Sequence, residues 1–93
     1  MKVYQYIFYY ENEQRFVHME STNFQALAKE AWKQYQQDLK WHYDPMYDYH
    51  VAHNYEEFLK DDVLVIANQN CDNVEIRRFE IEPKDTVTRG ELT

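Results

Sequence analysis

An α+β fold, an antiparallel sheet of about four strands in two hairpins with one long helix packed on a face, is what this sequence predicts. Three observations predict it: alternating β-branched and aromatic residues at the start, a three-and-four repeat in the middle, and two further strand-like stretches near the end. The 93 residues make room for a single domain over 1–83, followed by a loose C-terminal tail, 84–93, with little to bury.

Residues 2–10 and 15–20 read as the first hairpin, because the polar run Glu11-Asn12-Glu13-Gln14 between them suits a turn. Strand side chains alternate, so Tyr4, Tyr6, Phe8 and Tyr10 share one face and Val3, Gln5, Ile7 and Tyr9 the other. The first set gives the more continuous apolar surface and is expected to meet the helix, which leaves Tyr9 outward. From Thr22 the period changes. Phe24, Leu27, Ala28, Ala31, Tyr35 and Leu39, with Trp32 beside them, line one side of a helix. Thr22 with Gln25 is the expected capping box, and Asp44 before Pro45 stops the helix at about residues 41–43. Asp44-Pro45 then suits a new helical turn, and Asn54 with Glu57 starts a short helix, so the acidic connection is helical in pieces. Residues 63–68 and 74–82 form the second hairpin, joined by Gln69-Asn70-Cys71-Asp72-Asn73, whose asparagines and aspartate tolerate tight turns. Val74 and Ile76 differ in parity from Phe79 and Ile81, which predicts a β-bulge near Arg77-Arg78.

Composition excludes several chemistries. Gly90 is the single glycine, so neither a P-loop nor a dinucleotide fingerprint can be built, and no cofactor is called for. Cys71 is the single cysteine, which rules out an intrachain disulfide and any zinc site needing two thiolates. It has an acidic neighbour and no adjacent base, and receives no nucleophilic role. Ser21, the single serine, sits where a helix is about to start, a place for capping rather than hydrolysis. With no apolar run of signal-peptide or membrane-spanning length, the expectation is a cytoplasmic protein.

The net charge is −7, and it is unevenly placed. Residues 1–43 balance to zero, residues 44–62 carry −5 and residues 63–93 carry −2. The acids of the middle segment, Asp44, Asp48, Glu56, Glu57, Asp61 and Asp62, with Lys60 as their single base, read as an acidic face for a basic partner. Tyr9, Tyr47 and Tyr49 join them as candidate contacts, since tyrosine combines large area with a polar tip. The same charge opposes direct nucleic-acid binding, because phosphates need clustered bases and Arg77-Arg78 is the only adjacent basic pair. Two other readings stand beside a non-enzymatic binding module. In one, His42, Asp44, Asp48, His50 and His53 hold a metal in an enzyme, His50 and His53 lying three apart on a helical face. In the other, the first strand is a sheet edge that pairs with its own copy in a homodimer.

A tyrosine-rich hairpin leading through Ser21-Thr22-Asn23-Phe24-Gln25-Ala26-Leu27-Ala28 into an alanine-spaced helix resembles many small proteins encoded by phages and mobile elements. In size, charge and lack of catalytic motifs the chain is similar to the acidic anti-CRISPR proteins and DNA mimics among them. The resemblance covers residues 1–70 in pattern and carries no individual functional residue. It implies an inhibitor in the host cytoplasm that blocks a host or immune-system protein with a basic nucleic-acid-binding surface.

Overall fold

A computed structural model of the chain describes residues 1–82, so Pro83 and the tail assigned to 84–93 lie outside the described residues. Strands β1 (Val3–Tyr10) and β2 (Arg15–Ser21) are followed by helix α1 (Phe24–His42), a single 3₁₀ turn (Pro45–Tyr47), helix α2 (Tyr55–Lys60), and strands β3 (Val63–Ile66) and β4 (Val74–Ile81). The sheet has four antiparallel strands in the order β2-β1-β4-β3. This is the α+β arrangement the patterning predicts. No described helix is long and apolar enough to cross a membrane.

β1 is a central strand, paired with β2 on one side and β4 on the other, so it is not an edge that recruits a second copy. The edges are β2 and β3, and His50 partly covers β3 by accepting the Val65 N–H at 3.0 Å. Pairing β1 with β4 needs contacts across most of the chain, which local sequence does not announce.

Tyr6, Phe8 and Tyr10 point to the helix layer and are buried. They meet Leu27, Ala28, Ala31 and Tyr35 of α1 and Phe58 of α2. Ala28 and Ala31 are fully buried, and their small side chains let the α1 backbone come close enough for the tyrosines to fill the space beside it. Phe58 gathers the aromatics: its ring lies 5.3 Å from Tyr6, 5.3 Å from Trp32 and 5.1 Å from Tyr35, in stacked and tilted contacts of the kind that add to area burial. The Tyr35 hydroxyl accepts the Ala52 N–H at 2.7 Å, which ties the connecting segment to α1, and burial pushes its phenol up to about 12.

α1 starts one residue later than the capping box suggests. Asn23 is the cap: its side chain accepts the Ala26 N–H at 3.2 Å, while Ser21 Oγ accepts the Asn23 N–H at 2.9 Å and Thr22 is exposed. The serine turn leaves Asn23 in extended backbone with its oxygen aimed at the first helical turn. Asn23→Ala is therefore expected to cost ~1 kcal/mol in thermal or urea unfolding, and Thr22→Ala a few tenths at most. Equal losses would return the cap to Thr22. The later starts match their predicted caps. Asp44 Oδ1 accepts the Met46 N–H at 3.0 Å ahead of Pro45, and Asn54 Oδ1 accepts the Glu57 N–H at 2.9 Å.

β4 contains no bulge. Its register with β1 runs unbroken from Tyr10 opposite Val74 to Val3 opposite Ile81. Alternation simply continues, placing Arg78 on the helix side and Phe79 and Ile81 on the outer side. Arg78 is accommodated because Nη1 donates to Leu59 O at 2.8 Å and to the Tyr6 hydroxyl at 3.4 Å, and Nη2 to Asp62 at 2.9 Å. Its guanidinium carbon also sits 5.6 Å from the centre of the Phe24 ring. In the loop before β4 the left-handed residue is Cys71, at φ 59°, rather than one of the asparagines or Asp72. Asn68 supports that turn by accepting the N–H groups of Asn70 and Asp72, each at 3.1 Å, and donating to Asp72 O at 2.8 Å and His42 O at 3.1 Å.

Candidate protein-binding surface

The residues singled out by charge lie on the connection between α1 and β3, and four of the six carboxylates are engaged, by bonds within it or from β4 and the loop before it. Asp44 caps the 3₁₀ turn and accepts the Gln69 N–H at 3.4 Å. Asp48 accepts the Tyr43 hydroxyl at 2.8 Å and lies 2.9 Å from His53 Nε2. The Tyr43 phenol is raised above its ordinary value because that bond to Asp48 holds its proton. Glu57 Oε1 accepts the His53 N–H at 2.7 Å, and Asp62 pairs with Arg78. Glu56 and Asp61 are different: their exposed positions put them in solvent, with no hydrogen bond or ion pair to a described residue.

Exposed apolar side chains flank and interrupt this acidic segment. Trp41 and Tyr49 are each 77% exposed, and Met46 is exposed to a similar degree, whereas Tyr47 is half-buried. Trp41 and Tyr43 share a polar cleft of about 220 Å³ with Asp44 and the Asn68–Asp72 loop. Sequence reasoning had not singled out Trp41, although its place beside the predicted helix end was a signal that the core would not reach it.

His42, Asp44, Asp48, His50 and His53 do not meet at one point, and His50 and His53 lie outside any helix, so they share no helical face. His42 Nδ1 lies 3.3 Å from Asp72 Oδ2 and 3.0 Å from Asp72 O. His53 has Asp48, and His50 is engaged through its backbone with Val65. Among the described residues, no group of three or more His, Cys, Asp or Glu side chains is arranged to hold a metal ion.

Tyr9 is separate from the acidic connection. It lies half-buried on the outer sheet face, as its parity predicts, with its ring 4.7 Å from Phe16 on β2. Phe16, 66% exposed, and Phe79, 40% exposed, accompany it there, and neither was marked as a contact by sequence reasoning. The signal for Phe16 was the four-residue turn, which sets it opposite Tyr9, and the signal for Phe79 was the parity change that had been attributed to a bulge. The register joins this face to the connection. Phe16, Tyr9, Glu75 and Val65 are successive cross-strand neighbours, and the bridge to Val65 adds His50, next to Tyr49, at the end of the row.

Comparison of the chain with protein-family models, curated proteins and solved structures returned no match. The functional reading therefore rests on these residues.

Proposed function

We propose that this chain is a non-enzymatic protein-binding inhibitor that covers a basic, nucleic-acid-handling surface of another protein, in the manner of the small acidic inhibitors of phages and mobile elements. The observation that carries the reading is the pairing, at the end of α1 and along the connection after it, of fixed carboxylates with Trp41, Met46 and Tyr49 in solvent. Carboxylates already held by internal bonds lose little freedom on contact, and large apolar side chains left in water gain from being covered. The net charge of −7 would steer a basic partner and repel a phosphate backbone, so association should be fast and salt-sensitive.

Glu56 and Asp61 provide the test, because the fold uses neither for a bond among the described residues. Glu56→Lys/Asp61→Lys is expected to melt with the parent. Immobilised parent protein should retain its partner from host lysate at low salt and release it as screening shortens the reach of the charges. The double variant should retain far less. Undiminished retention by a folded double variant would refute the acidic-face reading.

A further inference from the structure

The outer face of the sheet carries a band of apolar side chains with no second layer over it among the described residues. It runs obliquely from Phe16 on β2 through Tyr9 and Ile7 on β1 to Phe79 and Ile81 on β4. Part of it forms a shallow depression of about 250 Å³ lined by Ile7, Tyr9, Phe16, Glu75, Arg77 and Phe79. From the spacing of strands and of residues along them, the band is ~20 Å long and ~10 Å wide. An α-helix is ~10 Å across, and ~20 Å of it is about four turns.

Carboxylates stand on both flanks. Glu75 lies between Tyr9 and Val65 in one cross-strand row, and Glu20 lies across Gln5 from Phe79 in another. Arg77 pairs with Glu75, and Glu20 accepts the Gln5 amide at 2.8 Å, with His18 at 3.7 Å. We propose that this outer face is a second docking surface, built for an amphipathic basic helix of a partner protein: its apolar stripe on the band, its lysines and arginines reaching Glu75 and Glu20. The proposal rests on the reading of the chain as a binding module and adds a surface and an occupant to it. The charge decides among occupants. A second copy brings another −7 to the interface, and a nucleic acid stacking on Tyr9, Phe16 and Phe79 brings its phosphates toward that same net negative charge, with Arg77 and Glu75 paired to each other and Glu20 left as the carboxylate without a lysine or arginine among the described residues. A cationic helix is attracted by the same field and supplies a layer that none of the described residues provides.

The test uses the full chain and a synthetic Lys/Leu peptide of about 15 residues with one apolar stripe, long enough for four turns. A scrambled peptide of the same composition, a Glu/Leu counterpart and an oligothymidylate are run beside it. The striped basic peptide is expected to bind and to shift the amide resonances of Ile7, Tyr9, Phe16 and Phe79. Phe16→Ser/Phe79→Ser should weaken it by at least about tenfold while the domain stays folded, its melt lowered by little more than the loss of the Tyr9–Phe16 ring contact. Equal binding by the scrambled peptide reduces the effect to charge and overturns the proposal. So does tighter binding of the acidic peptide or the oligothymidylate, self-association of the parent that the double variant abolishes, or no binding at all. Shifts confined to residues 41–62 overturn the outer-face assignment and leave the acidic-face reading intact. Conversely, undiminished lysate retention by Glu56→Lys/Asp61→Lys alongside outer-face shifts removes that reading and leaves this one.

Discussion

Tyr6→Ala is expected to remove ~3–5 kcal/mol of stability, the loss typical of a buried aromatic, because its ring is 1% exposed and stacks on Phe58 at 5.3 Å. A domain of this size has ~5–10 kcal/mol in total, so the variant should lose from about a third to nearly all of its stability. Tyr9→Ala, three residues along the same strand, should lose ~1 kcal/mol, since its main ring contact is Phe16 across the outer face. Tyr6→Phe separates packing from polarity. It keeps the stack and gives up only the long bond from Arg78, which still has Leu59 O and Asp62 as partners. Urea unfolding of the three variants should rank them Tyr6→Ala far below Tyr9→Ala, with Tyr6→Phe nearest the parent. A Tyr9→Ala variant as unstable as Tyr6→Ala would put the load-carrying face of β1 on the other side of the sheet.

The facing of β1 was legible in sequence because four aromatics at a spacing of two make one unbroken surface. The starts at Asp44 and Asn54 were legible too, since each offers one cap-type residue next to proline or three residues before glutamate. Ser21-Thr22-Asn23 offers three cap-type residues in a row, and the serine turn that selects Asn23 shows only in the folded backbone. β4 was ambiguous for a related reason. Val-Glu-Ile-Arg-Arg-Phe-Glu-Ile puts apolar groups on both parities, which fits either a bulge or a strand with two apolar faces. The outcome depends on Arg78 finding Leu59, Asp62 and Tyr6, partners spread over the chain. The acidic segment could be counted from composition. Which of its carboxylates are engaged could not, because Gln69 and Arg78 reach Asp44 and Asp62 from elsewhere in the fold.

Asp38 is the residue the helical pattern least suggests and the one with the clearest pH signature. It follows Ala31 and Tyr35 at helical spacing on the buried side of α1, and it is the only buried charged residue among those described. Tyr10 donates its hydroxyl proton to Asp38 Oδ2 at 2.7 Å, and Gln34 Nε2 donates to the Tyr10 oxygen at 3.0 Å and to Asp38 Oδ1 at 3.3 Å. Asp38→Ala leaves the buried Tyr10 proton without an acceptor and is expected to cost ~1–3 kcal/mol. Burial raises the Asp38 carboxyl above its ordinary value of 3.8, against the lowering by the bonds from Tyr10 and Gln34 and by the charges of His42 and Arg15. The native state therefore binds the proton more tightly than the unfolded chain. That contribution is fully present below the unfolded value and is lost as pH rises through the native one. Asp38→Asn keeps an acceptor for Tyr10 and cannot titrate. Relative to the parent, it should gain stability as pH rises through this window and hold a constant offset above it. Parallel stability curves for Asp38→Asn and the parent across that range would mean the carboxyl is no more protonated in the folded protein than in the unfolded chain, and that the hydrogen bonds to Asp38 fully offset its burial.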